Sequence, residues 1–371
     1  MNCRFCKSKL NLNFIDLGFA PPSNAYINKA MLASPEVTYP LKVAVCESCW
    51  LVQTEDYTQA DQLFDKDYAY FSSTSSSWLS HAEDYCKKIV KKLYLNNENF
   101  VVEIASNDGY LLKNFVALDI PCLGIEPTES TANYSMQFNI PVIKKFFGEK
   151  LSHEIVSSYQ KADLVIGNNV YAHVPDILDF TLGISNLLNE EGVVTLEFPH
   201  LLNLVEESQF DTIYHEHFSY LSLGTVKQIF AEAGLKIFDV ETLDTHGGSL
   251  RVYGSKETSH RNIEDSVNQV LQKENDISLF SKETFSSFQS KAEDIKFNLL
   301  RFLLEKKLEG KIVAGYGAAA KGNTLLNFSG IKQDLISYVC DAAESKQNKF
   351  MPGSHIPILH PSVLESNPPD F

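Results

Sequence analysis

Positive charge is scarce in this chain. Its 371 residues include 32 Lys and Arg against 47 Asp and Glu, which gives a formal net charge of −15. Nucleic-acid binders present a basic face to phosphates, so this balance argues against nucleic acid as a partner. A phosphorylated small molecule is still allowed, because one local cluster of Lys or Arg can hold it. Hydrophobic residues make up 44% of the chain, which excludes disorder as its main state.

Long apolar runs are also missing. No stretch approaches the ~20 apolar residues that a helix needs to span a bilayer, so we expect no membrane partner. The opening sequence MNCRFCKSKLNL lacks the apolar core of a secretory signal. We therefore expect a cytoplasmic protein. Thiols stay reduced in the cytoplasm, where paired cysteines indicate a metal site more often than a disulfide.

Cysteine is informative by its spacing. Cys3 and Cys6 form one C-x-x-C pair, and Cys46 and Cys49 form another. Each pair can place two thiolates on one tight turn, and two such turns make a tetrahedral four-cysteine zinc site. Four ligands leave no open position, so we expect a structural zinc that stabilises a segment too small for its own core. Four unrelated cysteines are the alternative.

From residue 100 onward, short apolar runs alternate with segments of helical periodicity. This alternation predicts βαβ units and a parallel sheet, that is, an α/β fold. The predicted strands are 100–106, 122–128, 140–147, 162–169 and 193–199. The predicted helices are 129–138, 148–160, 176–190 and 224–234. Residues 235–255 read as a hairpin added to that sheet, and a second α/β unit begins at residue 311.

Polar residues cluster where the predicted strands end. The turn E-I-A-S-N-D-G lacks the G-x-G-x-x-G of a dinucleotide fold. An acid in the strand and one close-approach glycine suit S-adenosylmethionine, because the cationic groups of that ligand favour carboxylates. An acid that ends the second strand can accept both ribose hydroxyls. Ordinary loop polarity is the alternative. The predicted cofactor residues are Glu103, Ser106, Asn107, Gly109, Glu126, Asn168 and Asn169.

The run D-T-I-Y-H-E-H-F-S-Y at 211–220 is the densest group of acid–base side chains in the chain. A histidine can act as a general base near neutral pH, Glu216 can orient it, and Tyr214 can donate to a developing oxyanion. The run lacks the spacing of H-E-x-x-H, so a zinc peptidase is a poor interpretation. A surface loop is the alternative. Isolated, weaker candidates are Tyr68, His173, His200 and His246.

The run G-Y-G-A-A-A-K-G-N-T at 315–324 follows a predicted strand and opens a helix. It matches a dinucleotide fingerprint only in part. Its backbone N–H groups, the helix N-terminus and Lys321 can still cradle a diphosphate, with Lys346 nearby in sequence. The alternative is a tight strand–helix turn that needs small residues for packing.

Together these motifs resemble those of the bacterial sugar C-methyltransferases of deoxysugar pathways. The resemblance rests on the two C-x-x-C pairs, E-I-A-S-N-D-G, I-Y-H-E-H-F-S-Y, H-G-G-S-L-R and G-Y-G-A-A-A-K-G-N-T. It implies a zinc-binding domain at 1–60, a class I S-adenosylmethionine methyltransferase domain at 61–255 and a Rossmann-like domain at 256–371. That last domain lacks its expected final strand, so we expect the native chain to continue past Phe371.

The resemblance also implies a reaction. The substrate would be a dTDP- or GDP-linked 4-keto-6-deoxy sugar, methylated at carbon 3 by a monomer or weak homodimer with S-adenosylmethionine and structural zinc. His217 would be the base, assisted by Tyr214, Glu216, Tyr68 and His173. The substrate-binding residues would be His246, Arg251, Lys321, Asn323 and Lys346.

Three other functions are open at this point. A nucleotide-sugar oxidoreductase would use the Gly-rich C-terminal turn for a dinucleotide. A zinc-ribbon protein would bind a partner without catalysis, which leaves the H-E-H run unexplained. A methyltransferase acting on oxygen or nitrogen would need no enolate.

Overall fold

The computed structural model describes residues 1–55, 57 and 71–371. Tyr68 lies outside the described residues, and its role stays a prediction. The strands are β1 (Leu12–Ala20), β2 (Tyr39–Val45), β3 (Val52–Thr54), β4 (Val101–Ile104), β5 (Cys122–Ile125), β6 (Val142–Ile143), β7 (Ala162–Asn168), β8 (Leu188–Pro199), β9 (Ser219–Tyr220), β10 (Leu235–Leu243), β11 (Ser249–Lys256), β12 (Gly315–Tyr316), β13 (Val339–Cys340) and β14 (Ile358–Leu359).

Among the described residues, five α-helices, α2 to α5 and α11, lie between consecutive parallel strands, and the others lie elsewhere along the chain. They are α1 (Ser76–Leu93), α2 (Leu112–Val116), α3 (Glu129–Ser135), α4 (Glu149–Ser158), α5 (Ile177–Leu187), α6 (Leu201–Glu206), α7 (Leu223–Glu232), α8 (Asp265–Asp276), α9 (Lys282–Ser286), α10 (Phe288–Leu308), α11 (Ala320–Ser329) and α12 (Val363–Ser366). Within the described ranges, no helix is long and apolar enough to cross a membrane.

The central sheet has seven strands in the order β10-β11-β8-β7-β4-β5-β6. Strands β4 to β8 run parallel, and the β10–β11 hairpin adds two antiparallel strands beside β8. This confirms the predicted α/β fold with its added hairpin. The chain crosses to opposite sides of β4, because β5 and β7 are both its neighbours. Ligands bind at the carboxyl ends of strands beside such a switch in strand order.

Both faces of the central sheet are covered by helices, as parallel sheets require. On one face, apolar side chains of α4, α5 and α7 pack into a cluster that includes Leu151, Ile177 and Val226. On the other face, α1 and α2 contribute Ile89 and Leu112 to a second cluster. The long helix α1 begins with a serine N-cap, since Ser75 accepts a hydrogen bond from the Trp78 N–H.

The N-terminal sheet has the order β1-β2-β3-β9, and all its pairs are antiparallel. Its fourth strand comes from residues 219–220, directly after the H-E-H run. Its apolar face packs on the segment near residue 285, where Phe14 stacks on Phe288 with ring centroids 4.4 Å apart. The N-terminal sheet is therefore continuous with the rest of the core, and the predicted domain bounds stay a prediction.

The C-terminal unit is a three-stranded parallel sheet in the order β12-β13-β14, with α11 after its first strand. The predicted strand from residue 311 is only two residues long here. The backbone preceding it bonds the chain end, because the Asp370 N–H donates to the Ile312 carbonyl at 2.8 Å and the Ala314 N–H donates to the Phe371 carbonyl at 3.0 Å.

Candidate active site

The four predicted zinc ligands converge on one point. Their Sγ atoms all lie within 4.8 Å of one another, with 3.6 Å between Cys3 and Cys49 and 3.4 Å between Cys6 and Cys46. A tetrahedron of sulfurs about 2.3 Å from zinc has edges of roughly 3.8 Å, so the set fits the ion. These four residues would hold zinc with no open position, which is a structural role.

Both cysteine pairs sit on turns with the same geometry. In each, the first cysteine N–H donates to a carbonyl five residues ahead, Ser8 for Cys3 and Leu51 for Cys46, at 2.8 and 3.0 Å. The residue after each pair, Lys7 or Trp50, has a left-handed backbone with φ near 60°. The local sequence therefore folds each pair into a zinc-binding turn before the two turns meet.

The predicted cofactor residues gather at the carboxyl ends of β4, β5 and β7. Glu103 is buried, and burial followed by the charges of Asp108 and Glu126 raises its carboxyl pKa well above 4.5. Buried oxygen atoms of Glu103, Ser106 and Asp108 have no hydrogen-bond partner among the described residues. Buried acceptors of this kind need a donor or a cation. The ammonium and sulfonium of S-adenosylmethionine fit that need.

Glu126 ends β5, as predicted, and is already hydrogen-bonded to the backbone. Its carboxylate accepts from the Asn107 N–H at 3.0 Å and from the Thr128 N–H at 2.8 Å, which fixes the turn after β4 against the end of β5. Each carboxylate oxygen keeps a further lone pair for a ribose hydroxyl.

Gly109 has a φ of +79°, and a side chain here would strike Ser135 and Ile140 at less than 3 Å. A glycine is required at this position because the turn is left-handed and packs closely on helix α3 and the segment after it.

The run at 211–220, called the catalytic run, lies beside this edge. A short turn at Phe210–Thr212 leads into it. The His217 Nδ1 lies 2.8 Å from the Thr212 carbonyl, which can only accept, so Nδ1 carries the proton. The opposite nitrogen, Nε2, is then unprotonated and accepts a hydrogen bond from the Tyr214 hydroxyl at 2.9 Å. Burial, followed by the nearby His173, lowers the pKa of His217 well below 6.5. His217 is therefore a neutral imidazole with its basic nitrogen directed at Tyr214.

His173 and Glu216 flank this base. The His173 ring packs edge-on against His217 with centroids 4.6 Å apart, and burial lowers its pKa to about 4. The Glu216 carboxylate is buried and accepts from the side-chain amide of Asn24. The structure thus brings Tyr214 and His173 against His217, while the Glu216 carboxylate bonds Asn24.

One of the predicted cofactor residues, Asn169, contacts the predicted substrate site. Asn168 and Asn169 end β7, and the Asn169 amide lies 3.2 Å from the His246 Nε2. His246 has a left-handed φ of 55°, and the Lys321 ammonium donates to its carbonyl at 3.2 Å. His246 therefore joins the cofactor edge to the C-terminal unit.

The N-terminal end of α11 packs against the catalytic run. The Thr324 hydroxyl donates to the Ile213 carbonyl at 2.7 Å, and the buried Asn323 donates to the Ser23 carbonyl at 2.6 Å. Lys346 donates to the Ala318 carbonyl at 2.9 Å. Lys321, Asn323 and Lys346 thus lie at the Gly-rich turn, and their part in substrate binding stays a prediction.

Arg251 lies apart from this group. It is 2% exposed and pairs with Glu197 at 2.5 Å and with Glu241 at 3.2 Å. Glu197 also contacts the ring of His81 at 3.0 Å. Both ion pairs of Arg251 are formed with acids of the same chain. Its guanidinium is therefore part of a structural network of charges.

Sequence reasoning missed several residues that shape the site. Asp341 follows β13 directly and accepts from the Ala318 N–H at 2.7 Å. The backbone of Ser72 and Ser73 donates to Asn107 and Asp108, both at 3.0 Å, across the cofactor turn. An acid at the end of a second strand is a recognisable signal, whereas the serine contacts join residues 35 apart with no motif.

Three family descriptions match successive parts of the chain. They are "Putative zinc binding domain" at 3–64, "Methyltransferase domain" at 78–240 and "C-methyltransferase C-terminal domain" at 244–371. The C-methyltransferase NovU of Streptomyces niveus is 32% identical over 369 residues, covering 100% of this chain and 88% of the relative. The chain belongs to the C-methyltransferase family.

Solved structures resemble parts of this C-methyltransferase in backbone. Magnesium protoporphyrin IX methyltransferase of Synechocystis, with bound S-adenosylmethionine, is 13% identical with a TM-score of 0.38, over 54% of this chain and 100% of that one. The PH0226 protein of Pyrococcus horikoshii is 13% identical with a TM-score of 0.40 over the same shares. Scores this low support no conclusion here.

Family membership makes this C-methyltransferase dependent on S-adenosylmethionine and identifies its N-terminal cysteine cluster as a zinc site. Carbon as the methyl acceptor is the family chemistry. That finding goes against the alternatives of hydride transfer, of a non-catalytic zinc ribbon and of methyl transfer to oxygen or nitrogen.

Replacing Cys46 with Ser should remove the zinc and destabilise the N-terminal sheet, because a structural zinc contributes folding free energy directly. Metal analysis and thermal unfolding of the purified protein measure both effects. Cys86→Ser is the matched control, since Cys86 is a buried core thiol outside the cluster. Stoichiometric zinc in Cys46→Ser would contradict the assignment.

The His217 ring should stay the neutral Nδ1–H tautomer while pH is lowered from neutrality through 6.5, because its pKa lies well below that value. NMR of the ring nitrogens tests this, with His217→Asn to assign the signal. A His217 signal that titrates at or above 6.5 would contradict it. The unfolded chain binds this proton near 6.5, so stability should fall as pH drops further.

Proposed function

We propose that the chain methylates carbon 3 of a nucleotide-linked 4-keto-6-deoxy sugar, through an enolate formed by His217. The observation that carries this proposal is the neutral His217, whose Nδ1–H is held by Thr212 and whose unprotonated Nε2 accepts from Tyr214. This base lies between the cofactor edge of the central sheet and the N-terminus of α11. Methyl transfer to carbon needs a carbanion equivalent, and a base beside a ketone provides one.

The first step is proton transfer from carbon 3 to the His217 Nε2. The electron pair of the broken C–H bond forms a double bond between carbons 3 and 4 of the sugar. The 4-keto oxygen thereby becomes an enolate oxygen. Hydrogen bonds from Tyr214 and His173 would stabilise that oxygen, and Tyr68 is predicted to assist. Burial of His217 limits the access of water to the reacting groups.

The second step forms the new C–C bond. Bound S-adenosylmethionine supplies an electrophilic methyl group, and the enolate carbon attacks it while the S–CH3 bond breaks with its electron pair going to sulfur. Glu103 and Asp108 would hold the cationic end of the cofactor, and Glu126 its ribose hydroxyls. Their part is to orient the methyl group in line with carbon 3. The proton on His217 is then lost to solvent.

The nucleotide diphosphate would bind at the Gly-rich turn of 315–322. The first N–H groups of α11 have no intrahelical partner and favour an anion, and Lys321 adds a positive charge. Lys321 donates to the His246 carbonyl beside the cofactor edge, which supports a substrate that spans from this turn to His217. We propose dTDP or GDP as the nucleotide, a monomer or weak homodimer, and the cytoplasm, where zinc thiolates stay reduced.

Replacing His217 with Asn should lower carbon-3 proton exchange and methyl transfer by about 100-fold or more, because the general base is lost. Cofactor binding should change little. Deuterium uptake by NMR and product mass spectrometry measure the two reactions, and calorimetry measures binding. His215→Asn is the matched control, since the His215 ring bonds the Pro40 carbonyl instead of the site. Near-normal turnover in His217→Asn would overturn the assignment of the base.

The substrate can be identified with methyl-labelled S-adenosylmethionine and a panel of dTDP- and GDP-linked 4-keto-6-deoxy sugars. We expect one panel member to gain a methyl group at carbon 3, located by NMR of the product. The matched 4-hydroxy sugars should gain none, because without the ketone no enolate forms. Label on a ring oxygen or at carbon 5 would contradict the proposed position.

A further inference from the structure

The segment after β1 crosses from the zinc-binding part of the chain to the catalytic run. The Asn24 side-chain amide donates to both oxygens of Glu216, at 2.8 and 2.9 Å. Tyr26 donates to the Ala318 carbonyl at 2.5 Å, and Ile27 pairs with Phe350 through two backbone hydrogen bonds. Residues 23–27 therefore lie between the catalytic run and the Gly-rich turn.

The contact between Asn24 and Glu216 differs from the contacts that the neighbouring residues of this segment make. Ser23, Tyr26 and Ile27 bond backbone or structural groups of the C-terminal unit, which is what an interdomain connection needs. Asn24 instead bonds the carboxylate of a residue in the proposed catalytic group. Asn24 is exposed, whereas Glu216 is 3% exposed, so the amide meets the carboxylate at the edge of a buried site.

Glu216 lies in a region crowded with acids. Burial, then Asp341 and then Glu216 raise the pKa of Tyr26, which places both carboxylates close to that phenol. A buried carboxylate near another acid is stable as an anion only when donors satisfy its oxygens. The Asn24 amide donates to both oxygens, which fixes the plane of the carboxylate.

We propose that Asn24 is a positioning residue of the active site, which orients the carboxylate of Glu216, the residue that precedes His217 in the chain. The zinc-binding part of the chain then contributes a residue to the active site in addition to its role in folding. This inference rests on the proposed function, with His217 as the base and Glu216 as one of the residues that the family resemblance implies assist it.

Asn24→Asp is the diagnostic variant. It puts a second carboxyl group against Glu216, and two close carboxylates raise the pKa of one of them. On the alkaline side both ionise and repel, so kcat should fall roughly 10- to 100-fold from misplacement of Glu216. On the acid side the introduced carboxyl group is protonated and can donate to Glu216 as the amide does, so kcat should recover as pH falls. The wild type should lack this recovery.

Asn28→Asp is the matched control. Asn28 lies on the same segment, is exposed, and uses its side-chain oxygen to accept from the Ala30 and Met31 N–H groups. An aspartate keeps that acceptor and adds the same charge, so its kcat and pH profile should match the wild type. Zinc content and S-adenosylmethionine affinity, measured for all variants, report folding.

Asn24→Ala keeps the proposal testable if Asn24→Asp does not fold. It should lower kcat with KM changed by less than about threefold, and it should have no further effect in a Glu216→Gln background, because the contact is already altered there. Wild-type kcat and pH profile in Asn24→Ala would overturn the positioning role, as would equal pH profiles for Asn24→Asp and Asn28→Asp. A different result would contradict the proposed function itself: a wild type that neither exchanges the carbon-3 proton nor methylates a 4-keto sugar.

Discussion

A parallel sheet places the carboxyl ends of its strands at one edge, and the whole candidate site depends on that constraint. β4, β5 and β7 end at this edge, and each contributes a buried polar group there, from Glu103 to Asn168. A buried acid is tolerated only where something compensates its charge. Glu126 is compensated by two backbone N–H groups, and Arg251 compensates Glu197. Glu103 and Asp108 each have a buried oxygen with no partner among the described residues, so they are the acids that a cationic ligand would complete.

The same edge decides how the other parts of the chain meet. β9 follows the H-E-H run and pairs with β3, so one two-residue strand fixes the catalytic run to the zinc-binding sheet. Thr324 of α11 bonds the Ile213 carbonyl from the other side. The base at His217 is thus held by backbone on both flanks, and its tautomer is set by Thr212. Rigid support of this kind keeps a general base in register with its substrate.

Local patterns in the sequence predicted much of this. The C-x-x-C pairs are self-contained turns, so their spacing alone indicates zinc, and the strand–helix alternation predicted the central sheet. The polar residues at strand ends predicted the cofactor edge for the same reason, since each lies within one βα unit. The H-E-H run was found by its density of acid–base groups and by family resemblance.

Contacts between residues that are far apart in the sequence could not be predicted from local patterns. Asn24 and Glu216 are 192 residues apart, and no spacing rule connects them. Arg251 stands in a motif that suggests substrate binding, yet its burial against Glu197 and Glu241 follows from how α1 and the hairpin pack. The short β12 is a related case, because a strand extends only as far as a neighbour pairs with it, and β13 pairs with only two residues.

One backbone arrangement occurs twice in the chain with opposite electrostatic surroundings. Glu126 and Asp341 each follow a second strand, accept an N–H from the turn after the first strand and accept another from the residue two positions ahead. Around Glu126 the turn carries Glu103 and Asp108, which favours a cation. Around Asp341 the turn is Gly and Ala, followed by Lys321 at a helix N-terminus, which favours an anion. The net charge of −15 therefore does not describe either site. A cationic methyl donor and an anionic diphosphate would be drawn to these two different turns, and the run that carries His217 contacts the second of them through Ile213 and Thr324.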